Sequence, residues 1–175
     1  MRLGFLLVVA GLAACTAEQV AHPRPSSSKA RTPTSLSLQD RDFLERAAEG
    51  NNGEAAMGRV AEKNGTGAIV RYGRMMVADH GAAQTRLAVI ARQYNISLPT
   101  SLGEHQAGFD RIVDLKGEDF DREFIKVMKD DHQQAVLLYQ SEASGGSDAS
   151  LVAYAKEMLP KIQSHLEHAK SLQPQ

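Results

Sequence analysis

Between Ser37 and Leu172, apolar residues return at alternating three- and four-residue steps in four long stretches separated by Gly-, Asn- and Ser-rich breaks. That spacing keeps one face of a 3.6-residue turn apolar and predicts helices. The first opens near Ser37, where Ser37-Leu38-Gln39-Asp40 approximates a capping box with Asp in place of Glu. It carries Leu44, Ala47, Asn51, Glu54, Gly58 and Ala61 on one face. Gly50 and Gly53 weaken this helix by roughly 1 kcal/mol each relative to Ala, but glycines on a seam also permit close helix approach. After Asn64-Gly65-Thr66-Gly67, the second helix carries Ile69, Gly73, Met76, His80, Ala83, Leu87, Ile90 and Tyr94, and the segment from Asn95 through Pro99 to Ser101 ends it. A short amphipathic piece from Leu102 to Leu115 leads to a break at Lys116-Gly117. The third helix, from about Glu118 to Ala143, places Asp121, Phe124, Ile125, Met128, His132, Ala135, Tyr139 and Glu142 on one side. Beyond Ser144-Gly145-Gly146-Ser147, with Ser147 or Asp148 as cap, the fourth reads Leu151, Ala155, Met158, Ile162, His165, Ala169 and Leu172. Pro160 predicts a kink about one turn before His165. Such a pattern predicts an all-α four-helix bundle over residues 37–175, with a short extra helix between the second and third.

Upstream of Ser37 the period stops. Residues 16–36 include Pro23, Pro25, Pro33 and Ser26-Ser27-Ser28, and read as a disordered tether. Met1-Arg2 supplies a short positive start, Leu3 to Leu12 is apolar, and Leu12-Ala13-Ala14-Cys15 resembles a bacterial lipobox, in which the cysteine is lipidated and becomes the mature N-terminus. The apolar run is about half of the roughly 20 residues that span a bilayer, so residues 1–15 read as a lipoprotein signal peptide. An ordinary secretory signal is the alternative; the small residues before Cys15 favour lipidation. Thr16, where Asp would favour retention in the inner membrane, predicts an outer-membrane lipoprotein facing the periplasm, held to the membrane by a lipid on Cys15.

Composition adds exclusions. The 175 residues are 42% apolar and 5% aromatic with no Trp, which suits helices better than sheets. A formal charge of −1, with Lys and Arg scattered along helix faces, argues against nucleic acid as a partner. One cysteine excludes an internal disulfide framework.

Candidate chemistry sits on the seams. Glu54, His80, His132 and His165 each interrupt an otherwise apolar stripe, where an unpaired carboxylate is costly. At ~1.5 Å rise per residue their heights fall within about 8 Å if the long connection crosses the bundle, and within about 10 Å if it does not. Three imidazoles and a carboxylate would suit zinc, copper or iron. Asp79 and Asp131, each next to a seam histidine, could orient a neighbouring imidazole, and Met76 and Met128, one turn from His80 and His132, would suit Cu(I). The plainer alternatives are a buried His/Glu hydrogen-bond network that only fixes packing, Asp79 and Asp131 paired with Arg or Lys, and methionines as core filler. His168 reads as exposed, and His22 and His105 as bystanders. No catalytic residue is assigned: Cys15 is committed to lipid, no Ser/His/Asp grouping has a recognisable context, and Gly65-x-Gly67 lacks the rest of a dinucleotide loop.

Taken together, the Phe43-Leu44-x-x-Ala47-Ala48-Glu49-Gly50 opening, Glu54 before Gly58, Met76-x-x-Asp79-His80, Phe120-Asp121, Met128-x-x-Asp131-His132 and Leu159-Pro160-x-x-x-x-His165-Leu166 resemble the domain of unknown function 4142 family. The resemblance covers Leu38 to Leu172. It implies a ferritin-like bundle, a bacterial envelope setting in which relatives are described as outer membrane proteins, and a metal site, with Glu54, Asp79, His80, Asp121, His132 and His165 matching the family's pattern. One departure from ferritins matters: no Glu is followed by His three residues on, which disfavours di-iron oxidation. Two functions are therefore expected in order: transition-metal binding in envelope metal handling or stress tolerance, then a non-catalytic structural or interaction module. An enzyme ranks third.

Overall fold

The structure is a computed structural model that describes residues 35–174; the signal-peptide reading of 1–15 and all but the end of the 16–36 tether lie outside the described residues. The described chain is all-α. It comprises α1 (Leu38–Asn64), α2 (Gly67–Arg92), a single 3₁₀ turn (Gly103–His105), α3 (Gln106–Ile112), α4 (Gly117–Gly145) and α5 (Ala149–Ser171). The four long helices are those the periodicity predicts, and α3 is the short extra one. No helix among the described residues is long and apolar enough to cross a membrane.

Side-chain caps set the helix starts. Ser37 and Asp40 form the capping box of α1: the Ser37 hydroxyl accepts from the Asp40 N–H at 3.1 Å and the Asp40 carboxylate from the Ser37 N–H at 3.2 Å. The other Asp40 oxygen accepts the N–H groups of Ser147 and Asp148 at 2.8 and 3.1 Å, tying the start of α1 to the start of α5. Burial works against ionising Asp40, but these hydrogen bonds outweigh it and hold the carboxyl at about 2. Asp148 then caps α5 through the N–H groups of Ser150 and Leu151. At the opposite end Asp121 of α4 accepts from the backbone and hydroxyl of Thr66, which caps α2 from another helix. The second apolar stripe stops short of Tyr94: the chain leaves the helix after Arg92, Asn95 takes a φ of +55°, and the Tyr94 hydroxyl donates to Asp148. Pro160 lies inside α5, which continues to Ser171.

These ties decide the topology. The starts of α1 and α5 and the end of α2 share one end of the bundle through Asp40, Asp148 and Tyr94. The α1–α2 turn and the start of α4 share the other through Thr66 and Asp121. The connection from residue 93 to 116 therefore runs the length of the bundle, as in ferritin-like folds. It packs its 3₁₀ turn and α3 against α1, and α3 against α4.

Buried residues form two apolar clusters. One, nearer the chain start, includes Phe43, Leu87, Tyr139 and Tyr154, and the other includes Met57, Tyr72, Phe124 and Met128. Along each long helix a buried polar residue lies between the parts belonging to the two clusters: Glu54, His80, His132 and His165. Helices α1 and α2 approach closely at Gly58 and Gly73, where a Cβ on either glycine would stand 2.7 Å from the other's carbonyl oxygen.

Candidate metal centre

His80, His132 and His165 enter the space between the apolar clusters from α2, α4 and α5. Their ring centroids are 5.9 Å apart for His80 and His132, and 5.5 Å apart for each of the other two pairs. One ring nitrogen from each lies within 4.8 Å of the others, and all three residues are buried.

The hydrogen bonds determine which nitrogen of each ring carries the proton. His132 Nδ1 is 2.9 Å from the Met128 carbonyl, which can only accept, so Nδ1 is the donor and Nε2 is bare. His165 Nε2 is 2.9 Å from Asp79 Oδ2, while Lys161 Nζ donates to the other Asp79 oxygen at 2.9 Å, leaving His165 Nδ1 bare. The assignment at His80 is relayed from the crossing connection. Backbone carbonyls of Pro99 and Ser101 accept from Asn52 Nδ2, Asn52 Oδ1 accepts from Gln84 Nε2, and Gln84 Oε1 accepts from Asn51 Nδ2. Asn51 Oδ1 thus faces His80 Nδ1 at 3.1 Å and takes its proton, leaving Nε2 bare. The three bare atoms, His80 Nε2, His132 Nε2 and His165 Nδ1, are buried and meet no protein hydrogen-bond partner.

Electrostatics keep the rings neutral. Burial, reinforced by the neighbouring imidazoles, pushes His80 well below the ordinary histidine range. Burial and the His165 ring hold His132 at about 3. Burial also lowers His165, against the pull of Asp79. Burial opposes ionisation of Asp79 as well, but the hydrogen bonds from Lys161 and His165 outweigh it, so Asp79 stays a carboxylate. Three neutral imidazoles with bare nitrogens turned to a shared space are what a divalent transition-metal ion needs. Ligands of a tetrahedral ion at ~2.0–2.1 Å stand about 3.4 Å apart, so closing the set moves each nitrogen by about 1 Å or less. The residues present fit such an ion.

Glu54 is placed differently from the histidines. Its Oε1 is 3.4 Å from His132 Nδ1, the protonated side of that ring, and its Oε2 has no hydrogen-bond partner. Burial first, and the charge of Asp131 second, push its carboxyl well above the ordinary range. Glu54 groups instead with His105 and Asp131. Asp131 accepts from His105 Nδ1 at 2.9 Å and so orients an imidazole, but that of His105.

From the sequence alone His105 is a bystander and Asn51 a seam residue only. The signal for His105 was the pair Gly50 and Gly53, which make room for the connection and not for another long helix: a Cβ at Gly53 would stand 2.6 Å from His105 Cβ. Met76 and Met128 side chains belong to an apolar cluster, and Met128 serves the site through its carbonyl. His168 is exposed, edge-on to Tyr72 with centroids 5.0 Å apart. A cavity of about 30 Å³ passes from the Arg46–Glu104 ion pair at the surface inward to Glu54, His80, His105 and His132. That is room for roughly two water-sized ligands.

A family model described as a domain of unknown function (DUF4142) matches residues 25–172. No curated protein and no solved structure matches the chain. The match spans all five helices and every histidine of the centre, and the chain belongs to the DUF4142 family.

Proposed function

We propose that this protein binds a transition-metal ion, zinc, copper or iron, through His80 Nε2, His132 Nε2 and His165 Nδ1, and does so as an outer-membrane lipoprotein facing the periplasm, in envelope metal handling or stress tolerance. One observation carries the metal reading: three buried ring nitrogens, each bare because its partner across the ring is hydrogen-bonded, converge without a protein donor between them. A network that only fixed packing would pair those atoms, since each unsatisfied buried polar group costs roughly 1–3 kcal/mol. Asn51, Asp79 and the Met128 carbonyl act as the outer partners that hold ligating imidazoles in one tautomer.

Elemental analysis of the purified chain against a His80→Ala/His132→Ala variant tests this reading. The expected result is that the variant holds about one zinc, copper or iron per chain fewer than the wild type. A wild type that takes up none of the three ions, with unchanged thermal stability on adding them, overturns it. The lipoprotein reading rests on Leu12-Ala13-Ala14-Cys15 and Thr16. It predicts that the wild type fractionates with outer membranes while Cys15→Ser does not; equal fractionation refutes it.

A further inference from the structure

Glu54, His105 and Asp131 come from three elements: α1, the 3₁₀ turn of the crossing connection, and α4. Each offers a ligand atom within 4.8 Å of the other two. The side chains are 4%, 11% and 20% exposed, so a buried carboxyl is approached by a histidine and a second carboxylate that water still reaches. The chain is shaped to make this meeting. Gly50 and Gly53 leave α1 bare where His105 lands, and a Cβ at Gly50 would stand 3.3 Å from the ring's Nε2. Glu54 Oε2 is fully buried with no hydrogen-bond partner, an expensive atom to leave unpaired in a wall that an apolar side chain could have completed.

We propose that Glu54, His105 and Asp131 form a second divalent-cation site beside the three-histidine centre, so that the folded chain takes two ions. The site stands on its own residues; only the count of two rests on the metal reading given above. On binding, the ion takes the place of the hydrogen between His105 Nδ1 and Asp131 Oδ2; the ring gives up that proton and takes one on Nε2, so that it ligates as a neutral imidazole. The 2.9 Å between those atoms is close to the ~3 Å separating two ligands about 90° apart on an ion at ~2.1 Å. The Glu54 carboxyl also loses its proton, and two carboxylates then balance the charge of the ion. One imidazole and two carboxylates suit Mn²⁺, Fe²⁺ or Zn²⁺, whereas three imidazoles suit zinc, copper or iron. Glu54 and His105 of one set and His80 and His132 of the other line the same 30 Å³ cavity.

Stoichiometry decides the matter. The full chain, stripped with chelator in detergent, is dialysed against Zn²⁺, and metal per chain is measured by mass spectrometry for wild type, His80→Gln and Asp131→Asn. Two ions in the wild type and one in each variant is the expected result. One ion that is lost in His80→Gln and kept in Asp131→Asn overturns the second site and leaves the three-histidine reading standing. One ion lost in Asp131→Asn and kept in His80→Gln supports the second site and overturns the three-histidine reading. No ion overturns both. If Asp131→Asn does not fold, wild type loaded with one equivalent of Zn²⁺ is titrated with Mn²⁺ and followed by electron paramagnetic resonance. An immobilised Mn²⁺ signal of one equivalent supports the site, and only the free aqueous signal overturns it.

Discussion

Asp79→Asn separates metal-site tuning from simple packing. Asp79 accepts from His165 Nε2 at 2.9 Å and from Lys161 Nζ at 2.9 Å, and its side chain is 27% exposed. As an obligate acceptor it forces the His165 proton onto Nε2 and keeps Nδ1 bare. An asparagine is nearly the same size but can turn its amide N–H₂ to the ring, so that Nε2 accepts and the proton moves to Nδ1, the atom facing His80 and His132. The charge-assisted hydrogen bond to the ring is lost as well, and such bonds contribute about 1.5–3 kcal/mol. Outer partners of ligating histidines typically set 10–100-fold in metal affinity, which is ~1.4–2.7 kcal/mol. The assay is Zn²⁺ affinity by competition with a chromophoric chelator, with circular dichroism to confirm the fold. Lys161→Ala is the control, because it removes the ion pair and leaves the Asp79–His165 bond. A 10–100-fold loss for Asp79→Asn and less than threefold for Lys161→Ala is expected. Zinc affinity within twofold of wild type in a folded Asp79→Asn protein would refute the tautomer argument.

Three further predictions concern stability. Gly58→Ala places a Cβ 2.7 Å from the Gly73 carbonyl, which is backbone and cannot swing aside; overpacking of ~1–3 kcal/mol outweighs the helix-propensity gain and lowers the urea midpoint. Gly81→Ala, on the same helical scaffold but with nothing within 4 Å, gains the propensity alone and raises the midpoint by the equivalent of about 0.5–1 kcal/mol. Glu142 supplies the pH dependence: burial, then the neighbouring Asp40, raise its carboxyl from an ordinary 4.5 to about 7. The folded state then binds the proton more tightly than the unfolded one. Stability from this group is fully present below about 4.5 and is lost as pH rises to about 7, by ~1–2 kcal/mol after allowance for solvent screening. Glu142→Gln should flatten denaturation midpoints over that window and exceed wild type at pH 8; an unchanged slope counts against the assignment.

Each long helix and the fold class were legible in the sequence because an amphipathic stripe is a local property: Leu151, Ala155, Met158 and Ile162 lie on one face wherever the helix is placed. Capping was legible for the same reason at Ser37 and, as one of the pair Ser147 and Asp148, at Asp148, whose partners lie within three residues. That each long helix carries a buried polar residue was visible too, as a break in its stripe. The path of residues 93–116 was not, because a connection without a period carries no sign of which end it reaches. Only the links from Tyr94 to Asp148 and from Thr66 to Asp121 determine that it crosses the bundle. Consequently His105 had no visible partner, although it meets α1 at two glycines and α4 at Asp131. The donor set was likewise beyond periodicity. Which ring nitrogen is bare depends on Asn51, Asp79 and the Met128 carbonyl, and for His80 on a relay that begins at the carbonyls of Pro99 and Ser101. Sequence alone determined that four polar residues would be buried in a helical bundle, since hydrophobic period needs no partner. Tertiary structure alone decided that three of them converge while Glu54 groups with His105 and Asp131, because hydrogen bonds between distant elements aim a side chain and a stripe cannot.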